Sequence, residues 1–352
     1  MQKLFAKKSL GQHFLHSPSA LKKIIEAAAI KSDETVLEIG PGTGILTSEL
    51  LKTGAHVIAI EKDDRAIALL EEKFGKEYTK GEKGSLSGKL TLIHGDILDF
   101  GKTEGTSSID IETTKGSSAT KFLMSRDVIS RKSRDTHLKE GDYALVANIP
   151  YYITGAILRK FLENSPRPNR MILLVQKEVA ERMVGRETNQ GKRSSGQGKP
   201  GPKKESLLSI SVKAFGTPRI VGIVPKGAFV PPPTVDSAII AIENISDKNF
   251  SKNNKNYPKN SQYFINNSNS VDLLQNGSIS RFFDILHAGF AHKRKVLIRN
   301  LEDVKRSTVS DLPDRIVLQN IWKKLGLSEK IRAEDITLGQ WLQIFHEYTA
   351  CE

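Results

Sequence analysis

Asn148-Ile149-Pro150-Tyr151, at the end of the apolar run Tyr143 to Ala147, is the sharpest chemical signal in the 352-residue chain. The exocyclic amine of adenine is a poor nucleophile because its lone pair is delocalised into the ring. Two acceptors that hold both of its N–H bonds draw the nitrogen toward tetrahedral geometry. The Asn148 side-chain oxygen and the Ile149 backbone carbonyl are suited to be those acceptors. Pro150 sets the turn that points the carbonyl outward, and Tyr151 offers a flat face on which an extruded base can stack. Taken alone, the same four residues could be a helix-capping asparagine followed by a proline-shaped loop.

A second constellation lies upstream in Thr35 to Glu61. Val36, Leu37 and Ile39 have the apolar, β-branched character of a strand buried on both faces. Gly40, Gly42 and Gly44 let the backbone turn sharply and approach a ligand. Ile45 to Leu51 has helical spacing, and His56 to Ile60 returns as a strand. Glu61 closes it, about twenty residues on, where a carboxylate can accept from both ribose hydroxyls. The acid Glu38 precedes the glycines, which follow G-x-G-x-G and not the G-x-G-x-x-G of a dinucleotide site. This E-x-G-x-G pattern resembles the first motif of the S-adenosylmethionine-dependent methyltransferases. Asp96, at the end of a third strand, could accept from the adenine amine of such a cosubstrate with Ile97 packed on its ring; Gly95-Asp96 alone is equally a turn pair. Phe229 either stacks on the far face of a target base or belongs to the core. Attack on a sulfonium methyl is an in-line displacement, so positioning supplies most of the catalysis. It needs no strong general base, and the motif has none.

The elements that must position these residues can be read in order. Pro18 opens an amphipathic helix with Leu21, Ile24, Ile25, Ala28 and Ala29 on one face. Asp63 to Phe74 reads as a crossover helix, and Leu90 to Ile93, Tyr143 to Ala147 and Met171 to Val175 read as strands. Thr154 to Leu162 and Gln176 to Met183 read as helices. Strand alternating with helix is the signature of a doubly wound, mostly parallel sheet with helices on its faces, the α/β class. Alternation predicts further strands at Leu207 to Phe215 and Ser237 to Ile242. From Ser280 onward the patterns are helical. The expected organisation is a residue 1–245 α/β domain carrying insertions near 101–140 and 186–204, a low-complexity linker over 246–279, and a small helical RNA-binding domain over 280–352.

The formal net charge of +13 favours a polyanionic partner, because neutralising phosphates releases counterions. The single cysteine, Cys351, excludes an internal disulfide and a cysteine-cluster metal site, and the eight histidines contain no H-x-x-x-H pair; no metal is expected. No run approaches 18 apolar residues, and the basic N-terminus has no continuous apolar stretch. A cytoplasmic protein without a membrane segment is expected, and no heptad seam argues against a monomer.

Taken together, the motifs resemble one family, the small-subunit ribosomal RNA adenine N6,N6-dimethyltransferases. The resemblance runs through S-L-G-Q-H-F-L at 9–15, E-I-G-P-G-T-G at 38–44, Glu61, G-D at 95–96 and N-I-P-Y-Y-I-T at 148–154. It continues through L-V-Q-K-E-V-A-E-R-M at 174–183, F-V-P-P-P-T-V-D-S-A at 229–238 and G-F-A-H-K-R-K-V-L-I-R-N-L at 289–301. It implies a Rossmann-like, S-adenosylmethionine-dependent fold with a small C-terminal helical domain. It implies dimethylation of two adjacent adenosines in the 3′-terminal hairpin of small-subunit ribosomal RNA, with an immature small subunit as partner. The family's cosubstrate positions carry over to His13, Leu15, Gly40, Glu61, Asp96 and Asn148, with Gly42 in the same loop. Its target-adenine positions carry over to Asn148 and Tyr151, with Phe229 in its aromatic motif. His13 departs from the family's frequent asparagine, and segments 101–140, 186–204 and 246–270 look longer than the family shows. The rivals are the antibiotic-resistance relative that dimethylates large-subunit RNA and an RNA-binding assembly factor without catalysis. His292-Lys293-Arg294-Lys295 and the long helical C-terminal region favour the small-subunit reading.

Overall fold

The structure, a computed structural model, describes residues 4–7, 10–80, 89–100, 108–110, 120–124, 137–164, 166–187, 203–250, 271–304 and 315–349. Most of the three long segments, including 251–270, lies outside the described residues. Two compact units are present: residues 1–180 with 216–245, and residues 181–215 with 246–352.

The first unit is built on an eight-stranded sheet. Its strands are β1 (Thr35–Ile39), β2 (His56–Glu61), β3 (Lys89–His94), β4 (Thr120–Met124), β5 (Tyr143–Asn148), β6 (Arg170–Gln176), β7 (Thr217–Val224) and β8 (Ser237–Glu243). The spatial order is β7-β8-β6-β5-β1-β2-β3-β4. The five strands from β6 to β3 are parallel, and β4, β8 and β7 run antiparallel at the two edges. The strand β4 lies within the segment expected to be an insertion. Helices α1 (Pro18–Ala28), α2 (Ile45–Lys52) and α3 (Asp64–Lys80) bury Leu21, Ile24, Leu50, Ile67, Leu70 and Phe74 in one core with Val36, Val57, Leu90, Val146 and Ile172. The alternate strand residues Leu37, Ile58, Leu145 and Leu173 are equally buried, so both sheet faces are covered, as parallel strands require. The helix α1 starts on Ser17, whose hydroxyl accepts from the Ala20 amide, with Pro18 at the first helical position, where its missing N–H costs nothing. Connections of this kind put β1 at the point where strand order reverses, with β2 on one side and β5 on the other. In such sheets that is where a crevice opens, beyond the strand carboxyl ends.

The second unit contains α6 (Leu207–Lys213), α7 (Val271–Phe290), α8 (Leu297–Val304), α9 (Arg315–Leu325) and α10 (Leu338–Thr349); between α3 and α6 in the chain come the short α4 (Thr154–Leu158) and α5 (Lys177–Val184). Residues 207–213 are helical, not the strand that alternation predicted. The reason is local: Ser206 and Ser209 form a reciprocal capping box that starts a helix, and tertiary packing takes Ile210 and Val212 into the core. Phe215, just past α6, packs on Phe250 and Phe283, and Phe282 meets Phe345 edge-on. The described residues of 181–215 group with the helices, whereas the sequence patterns placed them with the sheet. The alternation also missed β7, a strand interrupted by Pro218 and Gly222, with a register shift between Ile220 and Gly222, as a bulge allows at a sheet edge. Among the described residues no helix is long and apolar enough to cross a membrane.

Candidate active site

A cavity of about 280 Å³ lies beyond the carboxyl ends of β1, β2, β3 and β5. His13, Gly40, Gly42, Glu61, Asp96 and Ile97 line it, and so do Asn148, Ile149, Pro150 and Tyr151. Leu15 and Phe229 do not. They face each other across the antiparallel pair Phe14–Leu15 with Phe229–Val230. Strand alternation sends Phe229 inward, 2% exposed, and its neighbour Val230 outward, 57% exposed. Of the two readings of Phe229, the core position is the one this structure has.

Glu61 ties the glycine loop to the end of β2. Its Oε2 accepts from the Gly42 amide at 3.0 Å, and its Oε1 accepts from the Lys62 and Asp63 amides, each at 2.9 Å. Burial pushes this carboxyl above its ordinary range, and the three amide bonds oppose that shift. Gly44, with φ of 71°, starts α2, and a Cβ there would sit 2.7 Å from Leu70 Cδ2 and 2.9 Å from Phe74 Cε2. Gly44→Ala is expected to destabilise the first unit: about 1–2 kcal/mol from left-handed backbone and about 1–3 kcal/mol from overpacking. Urea unfolding checks it, with a lower midpoint at unchanged m. An unchanged midpoint would contradict the close packing behind the loop.

Asn148 ends β5 with its side chain already turned. Nδ2 donates to the His13 carbonyl at 3.0 Å, which leaves Oδ1 as the acceptor at the cavity. Beside it, the Tyr151 ring stacks on the His13 ring at 5.8 Å with 23° between planes. The Tyr151 hydroxyl and the Ser237 hydroxyl share a hydrogen bond of 2.7 Å. Burial raises the Tyr151 pKa, so the ring is a neutral platform at working pH. His13 Nδ1 is 2.8 Å from the Pro231 carbonyl, a geometry that makes it the protonated ring nitrogen. The site thus holds a side-chain acceptor, the Ile149 carbonyl and a flat aromatic face at one strand end, and a buried carboxylate with a glycine loop at its neighbours.

A family model described as ribosomal RNA adenine dimethylase matches residues 4–271. The chain belongs to that family. It is 33% identical over 349 residues to ribosomal RNA small subunit methyltransferase A of Dehalococcoides mccartyi, covering 98% of this chain and 89% of that one. It is 31% identical over 348 residues to the protein of the same name from Crocosphaera subtropica, covering 97% and 98%. Among solved structures it is similar to a dimethyladenosine transferase from Plasmodium falciparum, with a TM-score of 0.58, 25% identity, and 94% and 96% of the two chains covered. The fold is shared with the 23S rRNA methyltransferase ErmE at a TM-score of 0.55 and 20% identity, over 95% and 99% of the chains. The chain is thus a ribosomal RNA adenine dimethyltransferase with a Rossmann-like methyltransferase fold.

The sequence assigned no role to several residues of this dimethylase's cavity. Lys62 lines it and donates to Asp96 Oδ2 at 2.7 Å, while Asp96 Oδ1 accepts from the Leu98 amide at 2.9 Å. Gln12, Phe14 and Tyr152 also line it, Tyr152 being 66% exposed. Gln12 and Phe14 flank His13, Tyr152 follows Tyr151 and Lys62 follows Glu61, and the fold gathers these segments around one cavity. Glu38, noted only as the acid before the glycines, does not reach the cavity. It is buried beneath the loop, neither of its oxygens has a hydrogen-bond partner, and burial pushes its pKa up to about 8. The Thr47 hydroxyl beside it offsets part of that cost without making a hydrogen bond of proper geometry. Among the described residues no cluster of three or more His, Cys, Asp or Glu could hold a metal ion.

Proposed function

We propose that this enzyme uses S-adenosylmethionine to dimethylate the N6 amines of two adjacent adenosines in the 3′-terminal hairpin of small-subunit ribosomal RNA. The observation that carries the reading is the Asn148 amide, pinned through Nδ2 to the His13 carbonyl so that Oδ1 is left as an acceptor, with Ile149 lining the same cavity. The Asn148 oxygen and the Ile149 carbonyl suit the two N–H bonds of an adenine amine, and Tyr151, which lines the same cavity, offers a flat face for the extruded base to stack on. Holding both protons loads the nitrogen lone pair toward the attacking geometry before the methyl arrives.

The residues around the glycine loop fit the cosubstrate. Glu61 would accept from the ribose hydroxyls, Asp96 from the adenine amine with Ile97 against the ring, and the Gly40–Gly42 backbone would pass close to the methionine portion. When bound, S-adenosylmethionine supplies the electrophilic methyl. Lys62 donates to one Asp96 oxygen and fixes how that carboxylate is turned at the cavity. The small-subunit assignment is supported by the names of the relatives above and by the exposed basic turn His292, Lys293, Arg294, which suits a phosphate backbone. The reading includes a monomer acting in the cytoplasm on an immature small subunit, with a part in its biogenesis.

The test is transfer of tritium from labelled S-adenosylmethionine to immature small subunits, large-subunit RNA and DNA. The expected result is N6-dimethyladenosine in small-subunit RNA only. Label in large-subunit RNA would establish the resistance-type activity instead. Tight RNA binding with no label anywhere would leave a non-catalytic assembly factor.

A further inference from the structure

Residues Leu10 to Phe14 make one wall of the cavity, and separate sets of bonds hold that wall from two sides. On one side, Phe14 and Leu15 pair with Val230 and Phe229, and the His13 ring meets Pro231. On the other side, Gln12 Nε2 donates to Asp63 Oδ2 at 2.9 Å, and Gln12 Oε1 accepts from the Lys7 amide at 2.9 Å. Asp63 is itself clamped: Arg65 Nε donates to Oδ1 at 3.0 Å and Arg65 Nη2 to Oδ2 at 2.6 Å. Arg65 Nη1 also donates to the Phe5 carbonyl at 3.2 Å. Asp63 is buried, 4% exposed, and lies two residues beyond Glu61 without lining the cavity.

We infer that Asp63, acting through Gln12, is a positioning residue for the Asn148 acceptor. Gln12 is bonded in the chain to His13, and the His13 carbonyl is the partner that turns the Asn148 amide. An amide has no steric preference between its two orientations; its hydrogen-bond partners decide which end is oxygen. The Asp63–Gln12 bond therefore sets where the His13 carbonyl stands, and that carbonyl sets which Asn148 atom faces the substrate. A bond to a buried carboxylate is among the stronger available. The Arg65 guanidinium holds the Asp63 pKa at about 2, so the clamp stays ionised across the working pH range. This inference rests on the adenine-amine reading of the site.

Asp63 also caps α3, its Oδ1 accepting from the Arg65 amide at 3.2 Å, and the test must separate that structural role from positioning. Asp63→Asn keeps a good capping side chain but turns an amide donor toward the Gln12 amide donor. It is expected to lower kcat for methyl transfer to the RNA about tenfold or more. KM for S-adenosylmethionine and the thermal midpoint should move far less. Gln12→Glu in the Asp63→Asn background restores a donor–acceptor pair with reversed polarity and is expected to recover most of the rate. An unchanged kcat in Asp63→Asn, or a loss that the paired substitution fails to recover, overturns the inference. If the wild-type protein methylates no RNA, the adenine-amine reading fails separately. The clamp is then read in the nitrogen-15 spectrum, where the Asn148 side-chain amide pair is identified by its absence in Asn148→Asp. Its resonance shifts in Asp63→Asn and returns in the paired variant if the inference holds, and stays put if it does not.

Discussion

Asn148→Ala is expected to lower the rate of methyl transfer by about 10²–10³-fold, the usual cost of losing one pre-aimed polar group at a reacting centre. The substitution removes the acceptor and its tether to His13 together, while β5 remains buried between β1 and β6. Fold and cosubstrate binding should change much less than kcat, because the Glu61 bonds that shape the glycine loop involve no Asn148 atom. Asn148→Asp is the sharper probe. It keeps the size of the side chain but sets a carboxylate oxygen against the His13 carbonyl, where two acceptors repel. It should be as slow as the alanine variant. Single-turnover transfer of labelled methyl, with cosubstrate affinity measured by calorimetry, separates the two quantities. Full activity in either variant would remove Asn148 from the chemistry.

Glu38→Gln is expected to stabilise the protein at alkaline pH by an amount on the order of a few kcal/mol. The free carboxyl titrates near 4.5 and the buried one near 8. Between those values the native state keeps a proton that the unfolded chain has released. A state that binds more protons loses ground as they become scarce, so this group's contribution to stability falls as pH rises from about 4.5 to about 8. The cost is absent below that window and complete above it. Lys73, which donates to the Gly44 carbonyl at 2.9 Å, offsets part of the charge, and nearby Glu61 adds to the cost. Glutamine keeps the shape without the ionisation. Urea midpoints of the two proteins across this range should coincide near pH 4.5 and separate steadily toward pH 8.5. Parallel profiles would mean that Glu38 ionises in the fold without penalty.

Much of the cavity could be read from the chain because its parts are local. Gly40 to Gly44, Glu61, Gly95-Asp96 and Asn148 to Tyr151 each stand directly after an apolar run, and parallel strands all end at the same edge of the sheet. Once the runs are recognised as parallel strands, their terminal residues must converge. The same locality explains α1, announced by Ser17-Pro18 and an apolar face.

Pairings between distant segments carry no such signature. Leu207 to Lys213 alternates like a strand, yet the Ser206–Ser209 capping box and the surrounding core make it a helix. Phe229 sits in an aromatic motif that could face a base or the core, and only its antiparallel partner Leu15 sends it inward. Asn148 and His13 are 135 residues apart, and Gln12 and Asp63 are 51 apart. The sequence by itself determined which residues reach the carboxyl edge, because strand period and loop chemistry act over a few neighbours. The tertiary structure alone decided how the Asn148 amide is turned, since hydrogen-bond partners brought from far along the chain choose between two otherwise equivalent orientations.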